Sequence, residues 1–174
     1  VRALGVTPRG IVLEPEGRNT APAATVAALL LVEDDPDAII ALLPSDHVVA
    51  DIAQFHAAFR AAIDAATNGA LVTFGIPASR PETGYGYIRK GQPWPGIEGC
   101  WRIDRFVEKP DTATAESYVA SGDYAWNSGM FVLPAQTLLN EVERLQPEML
   151  RCCRESLRQA KSDLDFLRLA RAPF

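Results

Sequence analysis

The chain has 174 residues, 48% hydrophobic and 22% charged, and its 22 acidic and 17 basic residues give a formal net charge of −5. That is the size and make-up of one globular domain able to bury a core without disulfide staples. The negative balance excludes a nucleic-acid backbone as partner unless basic groups cluster locally.

Ile11-Val12-Leu13 reads as a short buried strand closed by the turn chemistry of Glu14-Pro15-Glu16-Gly17. Thr20 then caps a helix with Pro22 in its first turn, apolar nearly all round through Leu31, a pattern of burial on several sides. Ala38 to Leu43 follows without polar alternation, as a strand covered on both faces does, and stops at Pro44. Asp51 and Gln54 have capping-box spacing, and Ile52, Phe55, His56, Phe59 and Ile63 share one helical face up to Asn68-Gly69. Leu71 to Ile76 is a third strand, so this part alternates strand and helix around a sheet expected to be mostly parallel.

From Pro77 to Gly99 the chain reads as irregular, with a short strand near Tyr87 to Arg89. Trp101 to Val107 is a strand ended by Pro110, and Thr112 to Ala120 a helix capped by Asp111 and stopped at Gly122. Met130 to Leu133 is expected as the last strand. Beyond Pro134, Leu138, Leu139, Val142 and Leu145 form one helical face, and Pro147 restarts a helix whose Cys152 and Cys153 face inward. Ser162 with Asp165 offers a further helix start. The three cysteines form no CxxC pair, which favours a reducing, cytoplasmic setting over a disulfide framework. No apolar run approaches the roughly 18 residues of a membrane span.

Asp46 stands just beyond the end of a buried strand, where open α/β sheets bind ligands. It reads equally as a Mg²⁺ carboxylate and as a turn or capping residue. His47 has no nucleophile beside it and reads as a structural hydrogen-bonding residue, and His56 as a core or boundary histidine. Arg18, Asn19 and Thr20 join a strand end to a helix start, either as ligands of an anion or base edge or as an ordinary turn and cap. Glu108 and Lys109 at a strand end are a solvated charge pair unless the twist before Pro110 turns both toward one cleft. There the carboxylate would accept sugar hydroxyls and the lysine neutralise a phosphate. Gly84 and Gly86 among tyrosines, and Trp126-Asn127-Ser128-Gly129, are tight turns or places where backbone approaches a ligand.

Five segments in order, Glu14-Pro15-x-Gly-Arg-Asn-Thr-Ala-Pro-Ala, Leu43-Pro44-Ser45-Asp46-His47, Glu82-Thr83-Gly84-Tyr85-Gly86-Tyr87-Ile88, Phe106-Val107-Glu108-Lys109-Pro110 and Trp126-Asn127-Ser128-Gly129-Met130-Phe131, resemble the mannose-1-phosphate guanylyltransferases, most closely the bacterial type often fused to a phosphomannose isomerase. The resemblance implies a Rossmann-like nucleotidyltransferase open sheet with helices on both faces. It also implies transfer of GMP from GTP to mannose 1-phosphate with Mg²⁺. By motif, Asp46 would bind the metal, Arg18, Asn19 and Thr20 the guanine nucleotide, Gly86, Glu108 and Asn127 the sugar, and Lys109 its phosphate.

The family's opening strand and glycine-rich triphosphate loop have no counterpart from Val1 to Gly10. Residues 1–174 are therefore expected to be a partial catalytic domain, incomplete at the N-terminus. Weak or no turnover is expected from this chain alone, and its unpaired sheet edge is expected to invite association with a second copy. The rival readings are a nucleotidyltransferase for another base or sugar 1-phosphate, and a non-catalytic nucleotide-sugar-binding regulatory domain.

Overall fold

A computed structural model describes residues 5–174, which divide into two compact units, one ending at Ala38 and resuming over Ala135–Phe174, the other spanning Ile39–Pro134. In the first unit, strand β1 (Ile11–Leu13) is followed by helix α1 (Thr20–Val32), then α4 (Ala135–Leu145), α5 (Pro147–Arg158) and the strands β7 (Lys161–Asp163) and β8 (Phe166–Arg168). Asn19, not Thr20, occupies the cap position of α1, and it makes no side-chain cap bond. α1 packs on both α4 and α5, as its all-round apolarity predicts. Val26, Cys153, Leu169 and Phe174 form the core there. Burial pushes the Cys153 thiol up to about 11, whereas Cys152 is only half-buried and sits beside Glu148 rather than in the core.

Ser162 and Asp165 do not start a helix. β7 and β8 form an antiparallel hairpin, and β8 adds in parallel to β1. Leu164 takes φ 55 at the turn between the two strands.

The second unit is built on an open five-stranded sheet of β2 (Ile39–Leu42), β3 (Val72–Pro77), β4 (Gly86–Pro93), β5 (Trp101–Glu108) and β6 (Tyr124–Pro134). Helix α2 (Ile52–Thr67) and helix α3 (Thr112–Ser121) cover opposite faces. Ile88 and Ala125 lie on the side of the α2 alanines, while their neighbours Tyr87 and Trp126 pack with Ala115 of α3. The α/β class with helices on both faces is as expected.

The mostly parallel ladder is not. Every pairing in this sheet is antiparallel. The crossover through α2 does return β3 in the direction of β2, but β6 runs between them in the opposite sense. β6 was expected only over Met130 to Leu133. It begins at Tyr124, because Asn127-Ser128-Gly129 is absorbed as a bulge with Gly129 at φ 76 instead of breaking the strand.

Both helix caps are as the sequence predicts. The Asp51 carboxylate accepts from the Gln54 N–H at 2.9 Å, and that of Asp111 from the Thr114 N–H at 2.8 Å. Gly122 closes α3 in the left-handed conformation at φ 72. The buried stripe of α2 is Phe59, Ala62 and Ala66 against Val132, with Phe59 stacked on Phe74 at 5.9 Å. Ile52, His56 and Ile63, expected on that face, are exposed. Small alanines allow α2 to approach the sheet closely, and this rotates the branched residues outward. β5 pairs only with β4 and leaves Trp101, Ile103 and Phe106 nearly half exposed at the edge.

Candidate active site

The register of β6 decides where the site residues fall. β3 runs along one edge of β6 for its whole length, with Thr73 opposite Phe131 and Pro77 opposite Ala125. β2 therefore takes the other edge at Phe131–Pro134, and β4 takes that same edge at Tyr124–Trp126. The carboxyl end of β2 consequently faces the amino end of β4 across the bulge that carries Asn127. The turn holding Asp46 leaves β2 at this gap, and Gly86 opens β4 at it.

Glu108 and Asn127 both crowd Gly86. Gly86 is opposite Glu108 in the β4–β5 ladder. A Cβ on Gly86 would lie 2.8 Å from Glu108 Oε2, 2.9 Å from Phe106 Cζ and 3.4 Å from Asn127 Cβ. Only glycine leaves this space open. Gly86→Ala is expected to swing the Glu108 carboxylate aside and displace the Phe106 ring, lowering stability by about 1–3 kcal/mol. Thermal melting of the variant measures it, and an unchanged melting temperature would contradict the crowding.

Lys109 joins this cluster by a backbone device. Its φ of 46 puts a non-glycine residue in the left-handed region, with its N–H donating to the Tyr85 carbonyl at 3.1 Å. That breaks the strand alternation, so Lys109 Nζ comes within 3.9 Å of Glu108 Oε1 instead of pointing to the other face. Both side chains are more than half exposed, so the pair itself contributes little stability. The left-handed conformation costs on the order of 1–3 kcal/mol at this exposed lysine.

The Pro81 to Tyr87 segment is fixed from below. The Glu82 N–H donates to the Tyr87 hydroxyl at 2.9 Å, Arg80 pairs with Glu82 and lies over the Trp126 ring, and Tyr85 meets Trp126 edge-on at 5.5 Å.

Asp46 is exposed, and its carboxylate makes no hydrogen bond or ion pair among the described residues. No group of three or more His, Cys, Asp or Glu residues there could enclose a metal ion. A single free, hard carboxylate fits Mg²⁺, which is commonly held by one or two carboxylates together with waters and substrate phosphates. His47 is likewise exposed and makes no hydrogen bond among the described residues, so the structural role expected of it is not present.

Arg18, Asn19 and Thr20 belong to the other unit. Arg18 pairs with Glu16. Asn19 has φ 64 and ψ −165, a region that glycine alone occupies readily, and this strained, uncapped helix start is not an ordinary turn and cap. Glu14 Oε1 is buried without a hydrogen-bond partner in the same segment.

Two contacts carry no signal in the sequence: the Phe106 ring against Gly86, and the hydroxyl of Thr73, which donates to Asn127 Oδ1 at 2.6 Å from 54 residues away. A cavity of about 780 Å³ between α2 and the β4–β5 hairpin is lined by α2 alanines, Phe74, Ile88 and Cys100. It contains none of Arg18, Asn19, Thr20, Asp46, Gly86, Glu108, Lys109 and Asn127.

A nucleotidyl transferase family model matches residues 4–171. The chain belongs to the nucleotidyl transferase family. Within that family it is 49% identical over 174 residues to the xanthan biosynthesis protein XanB of Xanthomonas campestris, covering 100% of this chain and 36% of that protein. It is 44% identical over 178 residues to the mannose-1-phosphate guanylyltransferase ManC of Salmonella typhimurium, covering 100% and 37% respectively. The chain thus spans little more than a third of the length of these relatives. Among solved structures, one described as mannose-6-phosphate isomerase from Helicobacter pylori superposes with a TM-score of 0.81 at 32% identity, over 92% of this chain and 60% of that one. No helix among the described residues is long and apolar enough to cross a membrane.

Proposed function

We propose that the protein is a mannose-1-phosphate guanylyltransferase, transferring GMP from GTP to mannose 1-phosphate and releasing pyrophosphate. The observation that carries this reading is the crowding of Glu108 and Asn127 around Gly86, with Lys109 Nζ 3.9 Å from Glu108 Oε1. An acceptor-only carboxylate and an amide side by side suit the hydroxyls of a sugar, and the adjacent ammonium suits its phosphate. Relatives named as guanylyltransferases point to the same chemistry.

A phosphate monoester has a second pKa near ~6, so at neutral pH the sugar phosphate is already an anionic nucleophile and needs no protein base. An oxygen of that phosphate attacks the α-phosphorus of GTP, and the bond to the β-phosphate bridging oxygen breaks, with the electron pair leaving on pyrophosphate. The protein's task is to align two mutually repelling anions and neutralise their charge. Lys109 does this at the sugar phosphate. Arg18, Asn19 and Thr20 at the start of α1 are assigned to the guanine nucleotide. Asp46 is assigned to Mg²⁺, which when bound would offset the triphosphate charge. Free Cys100, Cys152 and Cys153 suit a cytoplasmic reaction.

The test is pyrophosphate release by the complete protein, with GTP, UTP and dTTP crossed against mannose 1-phosphate and glucose 1-phosphate. Turnover confined to GTP with mannose 1-phosphate is expected. Equal rates with another base or sugar would reassign the substrate within the same chemistry. Binding of GDP-mannose without turnover would make the domain a nucleotide-sugar sensor.

A further inference from the structure

The bulge in β6 leaves backbone groups outside the ladder, and side chains take them up. Between Thr73 and Gly75 the β3–β6 register jumps from Phe131 to Asn127. Inside that jump the Met130 N–H donates to Ser128 Oγ at 3.1 Å. The Thr73 hydroxyl lies 3.0 Å from the Met130 carbonyl and 2.6 Å from Asn127 Oδ1. A hydroxyl carries one proton, and the shorter distance gives it mainly to Asn127.

With Oδ1 engaged, Nδ2 of Asn127 has no acceptor among the described residues, and the amide sits in a half-buried position beside Gly86 and Glu108. Its two N–H groups are then the part left for a ligand. Next to Glu108, which when ionised only accepts, they complete a donor and acceptor pair of the kind that reads a sugar hydroxyl from both sides.

We infer that Thr73 is a positioning residue that holds the Asn127 amide with its donor face toward the sugar. The inference rests on the guanylyltransferase reading for its ligand, but the contact can be tested without one. Without the hydroxyl, Asn127 is free to rotate and to present either its oxygen or its nitrogen. Thr73→Val keeps the branched shape that the strand needs and removes only the hydroxyl; Thr73→Ser restores it.

In the complete protein, Thr73→Val is expected to raise the KM for mannose 1-phosphate about tenfold, the effect of misplacing one hydrogen bond. KM for GTP and kcat should stay within about twofold, and Thr73→Ser should return the sugar KM to that of the parent. A purely structural threonine would lower the melting temperature without this split. In a sample ¹⁵N-labelled at asparagine, the Asn127 side-chain NH₂ signals are expected to shift in Thr73→Val and return in Thr73→Ser. Unmoved signals, an unchanged sugar KM in an active protein, or failure of serine to restore it would each overturn the inference. If the parent protein transfers no GMP while the amide signals respond as expected, it is the guanylyltransferase reading that fails and the Thr73 contact that stands.

Discussion

Asp46→Asn in the complete protein is expected to lower GMP transfer about a thousandfold and leave the melting temperature where it was. The expectation combines two features of the residue. Asp46 is exposed in the turn after β2 and has no hydrogen-bond or ion-pair partner among the described residues, so the fold gains little from its charge. Surface substitutions of that kind usually change stability by no more than about 0.5 kcal/mol. Asparagine also keeps one side-chain acceptor oxygen and suits a turn. What the substitution removes is the carboxylate on the turn that leaves β2 at the gap between β2 and β4. Charge neutralisation by a bound cation is worth several kcal/mol in phosphoryl chemistry, and about 4 kcal/mol corresponds to three decades in rate. The measurement is pyrophosphate release across a Mg²⁺ series, with melting followed in parallel. A variant as fast as the parent at every Mg²⁺ concentration would make Asp46 a turn residue and nothing more.

Some local signals in the sequence translate directly into structure, whereas the Thr20 cap and the Ser162–Asp165 helix start do not. Capping by Asp51 and Asp111, the left-handed stop at Gly122 and the Pro147 restart each depend on neighbours within one helical turn, and each is present. Non-local pairing was not legible. The strand–helix–strand pattern of residues 38–76 specifies strands and a crossover but not what lies between the strands, and the antiparallel β6 occupies that place.

Asn127-Ser128-Gly129 illustrates the same limit, because turn-forming residues within a strand are absorbed as a bulge when side chains such as Ser128 and Thr73 bond the displaced backbone. At the site, the chemical types could be read but their orientation could not. Alternation alone puts Glu108 and Lys109 on opposite faces, and only the backbone angle at Lys109 brings them together. His56 fails for a packing reason: helix periodicity offers two adjacent stripes, and the sheet accepts the one made of alanines.

The backbone angle at Lys109 leads to the second large effect, in which charge and strain are separated by two substitutions. Lys109→Ala and Lys109→Gly both remove the ammonium, and both are expected to raise the KM for mannose 1-phosphate about 10- to 100-fold, the loss of one charge-assisted hydrogen bond of roughly 1.5–3 kcal/mol. The two should differ in stability. Alanine at φ 46 keeps the left-handed penalty of about 1–2 kcal/mol, whereas glycine sheds it and forfeits about 0.4–1 kcal/mol through a more flexible unfolded chain. Lys109→Gly is therefore expected to be more stable than Lys109→Ala by up to about 1.5 kcal/mol, roughly 3–6 °C in a domain of this size. Losing the Glu108 ion pair should not obscure this, since that pair is solvated and absent from both variants. Parallel melting curves and sugar-phosphate titrations of the two proteins measure both quantities. If both variants bind mannose 1-phosphate like the parent, Lys109 belongs to a solvated charge pair. If they lose binding but melt together, the lysine is functional and its backbone is unstrained. The expected combination, lost binding in both with the glycine variant melting higher, would mean that the protein tolerates a strained residue at the end of β5 because that conformation brings an ammonium beside Glu108.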